Sequence, residues 1–323
     1  VYKRQRINYA TRNHARITHI MTMNTRRTVT HRTVTYRTVA ALAGAVALAL
    51  GSVTAANAID FPFPHPGTPE PEPPRIERAN FKPATINPVQ NTTVGVGQPI
   101  IITFNQPPKN PGRIERFVSV DVFNSKKEHY DIRGYFRWWS PTQLRWRPTS
   151  FWPQHTTVRV KVGDSVRTFH IGARHVAVAD DKSHMITVYS DGKVIRHVPT
   201  SMGKPGHETP NGTYYIGDKH RHIIMDSSTY GVPVTAPEGY RTDVEYALRM
   251  TYSGIFLHAA PWSMAAQGHY DSSHGCLNVS MDNGRWFFEH WLLGDVVRVV
   301  NSRGVLSKND GMGDWAPGAY SAY

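Results

Sequence analysis

Short runs of strict alternation, each closed by a turn signal, constrain this chain more than any other feature. In Val118-Ser119-Val120-Asp121-Val122 the valines fall on one face and the polar residues on the other. Leu144 and Trp146 alternate with Arg145 and Arg147, and Val158, Val160 and Val162 alternate with Arg159 and Lys161. A period of two buries one face of a β-strand and wets the other, which no helix can satisfy. About seven such runs lie between Phe81 and Gly172, separated by Pro-Gly and Gly-Asp signals and by Pro107-Pro108. Even spacing of this kind predicts a β-sandwich. Trp138, Trp139, Trp146 and Trp152 are expected in core and inter-domain packing rather than on a sugar-stacking surface.

A second β-rich domain is expected over 173–301. Met185 to Tyr189 and Val194 to Val198 flank Ser190-Asp191-Gly192-Lys193, a hairpin signal. Thr213 to Ile216, His222 to Met225, Ala247 to His258 and Val296 to Val300 continue the strand pattern. Asp226 to Tyr240 is rich in Ser, Thr, Gly and Pro, and its length predicts a functional loop or lid. Ser280 is placed to cap a helix that Gly294 would end, with Phe287 and Trp291 forming its apolar stripe. Residues 302–323 read as a polar, Gly-rich tail apart from Trp315 and Tyr320. The fold class is mainly β.

The formal charge of +13 points first to an anionic partner such as nucleic acid. Nine Lys and Arg residues lie in 1–58, which holds no Asp or Glu; without them the charge falls to +4. The basic balance thus belongs to a leader, and nucleic-acid binding is disfavoured. Arg26, Arg27, Arg32 and Arg37 precede an apolar run from Thr38 to Leu50, and Ala56-Asn57-Ala58 fits a cleavage site. A signal peptide over about 21–58 is expected, with Met21 or Met23 as its start and no membrane span left after cleavage; an uncleaved anchor is the alternative. Residues 59–80 form a Pro-rich linker. Export to the periplasm or cell wall follows.

Cys276 is the only cysteine, so in an exported protein it is an inert buried thiol, an intermolecular cross-link or a nucleophile. It lies in Ser272-Ser273-His274-Gly275-Cys276, a polar loop rather than an apolar segment. His258, ending an apolar strand, is the candidate base. The helix start after Ser280 is expected to favour the thiolate modestly. The amides of His274, Gly275 and Cys276 are candidate oxyanion donors. His258, His269, His274 and Cys276 also have metal-ligand chemistry but match no metal-binding spacing, so no metal and no cofactor is expected.

Ser273-His274-Gly275-Cys276-Leu277-Asn278, with His258-Ala259-Ala260-Pro261-Trp262 ahead of it, resembles the active-site signature of the L,D-transpeptidases, the YkuD domain family. Thr200 to Lys204, Ile223 to Pro233, Tyr240 to Val244 and Gly311 to Trp315 resemble further segments of the secreted members that carry an immunoglobulin-like domain. The resemblance implies an immunoglobulin-like domain over 81–172, without a Cys pair, followed by a catalytic domain over 173–301. It implies 3→3 cross-linking of peptidoglycan stems through a Cys276 thioester, with release of D-Ala from a donor tetrapeptide and a diaminopimelate amine as acceptor. His258 would be the general base and acid, oriented by a backbone carbonyl, although Ala259 stands where many relatives have Ser. Tyr240 would aim its hydroxyl from the lid at the oxyanion. Met225, Tyr230, Trp262, Ser273, His274 and Asn278 match positions lining the substrate cleft, and carbapenems would acylate Cys276. L,D-carboxypeptidase or D-amino-acid exchange activity at the same cysteine, and a non-enzymatic wall-binding scaffold, are the alternatives.

Overall fold

The computed structural model describes residues 81–320; the leader, the Pro-rich linker and residues 321–323 lie outside them. The alternating runs form two facing sheets. One orders Thr85–Asn87, Ile100–Thr103, Gln143–Pro148 and Gly134–Ser140; the other orders Thr93–Val94, Ser165–Ile171, Thr157–Val162, Val118–Phe123 and His129–Tyr130. Val158, Val160 and Val162 are fully buried between the sheets with Leu144, Trp146 and Trp152. Trp138 packs against that core, and the guanidinium groups of Arg137 and Arg145 lie 4.8 and 4.7 Å from the Trp139 ring centroid. The tryptophans are therefore packing residues. One helix escaped the strand reading: Pro111–Arg116, capped by Asn110 with proline in its first turn.

The second domain pairs a five-stranded sheet with a four-stranded one. The first orders Lys193–Pro199, Met185–Ser190, His175–Asp180, Val296–Val300 and Gly212–Tyr215; the second orders Lys219–Asp226, Arg241–Arg249, Phe256–Ala259 and Leu277–Val279. The hairpin turns at Asp191-Gly192 as its dipeptide predicts, both with positive φ. The stretch expected as one run from Ala247 to His258 is two strands, because the chain reverses through Thr251 to Gly254.

Helix Met281–His290 is capped by Ser280, whose hydroxyl accepts from the Asn283 N–H. It ends before Gly294, at Trp291, where the Lys219 ammonium binds the carbonyls of Phe288 and Trp291. Gly284 lets this helix lie against the strand bearing His258: a Cβ there would sit 2.8 Å from the Ala259 backbone nitrogen. Gly284→Ala is expected to cost about 1–3 kcal/mol by overpacking against the strand that bears His258. Urea unfolding checks this, and wild-type stability in the variant would remove the contact's importance.

Alternation along the last strand joins the domains. Val296 enters the sandwich core, while Val297 and Val299 enter the core of the second domain. The amides of Gly95 and Gly97 donate to Leu293 and Gly294 at 2.7 and 2.8 Å. The tail then straps the seam. Asp314, fully buried, accepts from Arg145 Nη1 at 2.7 Å, Tyr215 at 3.0 Å and Tyr320 at 2.7 Å. Among the described residues no helix is long and apolar enough to cross a membrane.

Candidate active site

Strand pairing brings the chemistry together. Phe256–Ala259 and Leu277–Val279 run parallel, with His258 opposite Asn278. Side chains directly opposite share a face, and Cys276 lies two residues before Asn278. All three line one cavity of about 370 Å³, with Met225, Tyr240, Trp262, Ser273 and His274. The 3-10 turn Pro261–Ser263 lines it through Trp262 and Ser263, and a second such turn, Ser227–Tyr230, follows the strand that bears Met225, with Tyr230 its last residue. The Tyr230 side chain lies outside the described residues.

His258 is buried, and its Nδ1–H donates to the Ala259 carbonyl at 2.8 Å. That bond puts the proton on Nδ1 and leaves Nε2 as the basic nitrogen. The orienting atom belongs to the main chain, so alanine at 259 supplies it as well as serine would. The Cys276 thiol donates to the Gly254 carbonyl at 3.7 Å. Burial pushes the thiol up to about 11 and pulls His258 down to about 4. Burial thus opposes the thiolate that the helix start was expected to favour modestly, and strand Leu277–Val279 separates the cysteine from that helix start. Desolvation outweighs whatever favours the anion, so both partners rest neutral.

The pH consequence has a definite sign. An exposed imidazole titrates at 6.5, whereas His258 does so at about 4. Between these values the unfolded chain binds a proton that the folded chain refuses. The contribution of neutral His258 is full above pH 6.5 and is lost as pH falls toward 4, amounting to about 3 kcal/mol. Urea unfolding at about pH 7 and about pH 4.5 should show this loss in the wild type and much less in His258→Gln. Parallel losses would refute a buried neutral imidazole.

The loop before the thiol is braced from inside. Ser273 Oγ–H donates to the Cys276 carbonyl at 2.7 Å and accepts from the Gly275 N–H at 3.0 Å. The Gly275 amide, expected as an oxyanion donor, is therefore already engaged, and the Ser273 hydroxyl spends its bonds on the loop. Gly275 has φ +118°, a left-handed conformation that side chains rarely adopt. Thr209 Oγ1 holds the Gly275 carbonyl at 2.8 Å. His274 turns its ring toward the lid, 5.0 Å from Tyr240 between centroids, and meets Glu238.

Trp262 is 55% exposed, its ring 6.0 Å from that of His258, so it is a rim residue and not core. Met225 packs on the small cluster containing Cys276. Asn278 is buried and donates from Nδ2 to Ser263 Oγ at 3.3 Å, while its Oδ1 has no hydrogen-bond partner. His269 is exposed on the surface.

Sequence reasoning missed Ser263, Gln267, Lys204, His207 and Glu238. Gln267 donates to Ser263 Oγ at 3.1 Å and so backs the residue that holds Asn278. Glu238 was detectable, being the one acid between Ser227 and Tyr240.

A model of the L,D-transpeptidase catalytic domain matches residues 174–299, and one of a bacterial Ig domain matches 76–164. L,D-transpeptidase 1 of Mycobacterium tuberculosis is 36% identical over 67% of this chain and 84% of its own length. The chain belongs to the L,D-transpeptidase family. Family membership rests on both domains, since L,D-transpeptidase 2 of the same organism is 44% identical over 71% of this chain. The chain spans 59% of the length of that relative. An LD transpeptidase solved in complex with imipenem has a TM-score of 0.63 at 36% identity, covering 68% of this chain and 98% of that one. L,D-transpeptidase 3 from M. tuberculosis, in complex with a faropenem-derived adduct, has a TM-score of 0.60 at 35% identity, with coverage of 68% and 98%.

Proposed function

We propose that this protein is an exported L,D-transpeptidase that joins peptidoglycan stems by 3→3 linkage through a Cys276 thioester. The observation carrying the reading is that Cys276 and a tautomer-fixed His258 line one cavity. Substrate entry brings a carbonyl of diaminopimelate to the thiol. His258 Nε2 takes the thiol proton as sulfur attacks, and the amides of His274 and Cys276, with the Tyr240 hydroxyl, receive the oxyanion. Collapse breaks the bond to D-Ala, whose nitrogen takes the proton from His258. The amine of a second stem then attacks the thioester and gives its proton to His258, which passes it to the departing sulfur and so restores the neutral pair. A neutral pair suits this sequence, because the proton moves only when the carbonyl is in place.

Asn278, Trp262 and Met225, which line the cavity, would line the donor stem. The sandwich carries the catalytic domain away from the membrane, and the basic leader supports export. Carbapenems enter as acyl donors, consistent with the relatives solved with imipenem and with a faropenem-derived adduct. Incubation with a disaccharide tetrapeptide, read by mass, is the test. A 3→3 dimer with equimolar D-Ala is expected. Tripeptide without dimer would make water the acceptor, and no D-Ala release would overturn the reading.

A further inference from the structure

The lid meets the catalytic loop through three side chains whose groups the reaction above does not use. Glu238 comes from the lid, His274 from the loop two residues before Cys276, and His207 from the turn closed by the His207 amide on the Lys204 carbonyl at 2.8 Å. Glu238 Oε2 lies 2.9 Å from His274 Nε2 and 3.6 Å from His207 Nε2. One ligand atom from each lies within 4.8 Å of the others. The two imidazole rings stand 4.8 Å apart, steeply inclined.

We propose that His207, Glu238 and His274 bind a divalent cation of the zinc class, which clips the lid to the catalytic loop. Two imidazole nitrogens and one carboxylate oxygen are the ligand types zinc takes, at about 2.0–2.2 Å each. In a tetrahedral site such atoms stand about 3.4 Å apart; the Glu238 oxygen, 2.9 Å from one imidazole nitrogen and 3.6 Å from the other, is already near that spacing, and the two imidazole nitrogens, within 4.8 Å, need to approach by about an ångström. Water completes the shell. Glu238 is exposed and carries its charge at neutral pH, so its carboxylate is ready as a ligand. The Lys204 ammonium, 2.6 Å from the same oxygen, already fills the place of a cation. Its long side chain is partly exposed and can swing into water when a dication replaces it. On binding, the metal takes the place of the hydrogen-bonded proton, and each ring carries its remaining proton on Nδ1. With the lid fixed to His274, entry to the cavity narrows while Cys276 stays uncoordinated. Metal binding itself does not rest on the reaction assigned above; only its effect on acylation does.

The test uses the full chain as Cys276→Ala, so that the thiol cannot take the metal. Titration with Co2+, followed by visible ligand-field absorption, is expected to saturate at one ion per chain, and Zn2+ should displace it. Adding His207→Ala or Glu238→Gln should weaken binding by about 10-fold or more. In the protein with its thiol, Zn2+ should slow carbapenem adduct formation, and His207→Ala should relieve that slowing. Adduct formation without metal verifies that the variant is folded. Absence of stoichiometric binding in Cys276→Ala, or equal affinity in His207→Ala and Glu238→Gln, would overturn the site. Slowing that persists in His207→Ala would place the inhibitory metal elsewhere.

Discussion

Cys276→Ala is expected to lower D-Ala release from a tetrapeptide by about 10⁴-fold or more while the fold survives. The thiol is small, and alanine keeps its Cβ within the cluster of Val244, Ala247 and Phe256; the stability cost should stay near 1 kcal/mol. What disappears is the atom to which the proposed mechanism assigns the acyl bond. Cys276→Ser should be nearly as inactive. A hydroxyl is a far weaker acid than a thiol, and a base held at about 4 cannot deprotonate it readily. Intact mass after exposure to a carbapenem is the parallel readout: one adduct on the wild type and none on either variant. D-Ala release by Cys276→Ala within about tenfold of the wild type would end the thioester mechanism.

Asp314→Ala is expected to cost about 3–5 kcal/mol. The substitution leaves Arg145, 2% exposed, as a buried cation without its counter-charge. It also strips the acceptor from the hydroxyls of Tyr215 and Tyr320. Burial, reinforced by the Asp314 carboxylate, pushes both phenols well above their usual range, so each stays protonated and in need of an acceptor. The loss reaches across the molecule. Arg145 belongs to the sandwich, Tyr215 to the catalytic domain, and Arg147 lies against the rings of Trp315 and Tyr320. Trp315 also donates to the Gly97 carbonyl at 2.7 Å. Urea unfolding of Asp314→Ala, Arg145→Ala and the double variant measures the coupling. The double variant should lose clearly less than the two single losses together. Strict additivity, or a single loss under about 0.5 kcal/mol, would reduce the strap to incidental contact.

Local periodicity settled much of this protein before any tertiary contact was known. Val158, Val160 and Val162 can bury one face only as a strand, and Asp191-Gly192 can turn only as a hairpin loop, so the sequence alone made the chain mainly β. Cys276 and His258 were identifiable from their isolation and their neighbours, and the L,D-transpeptidase likeness from several segments in order. Three things needed the fold. The resting charge of the Cys276–His258 pair depends on desolvation, which the chain acquires only when the loop and the strand are buried together. Ser273 bracing its own loop and engaging the Gly275 amide is a matter of hydroxyl direction, which residue order does not encode. The last is the tail: Asp314 lies 169 positions from Arg145, and no local pattern announces a pairing over that distance. Sequence determines which faces must be buried; only the folded chain decides which charges lose their water and what they find instead.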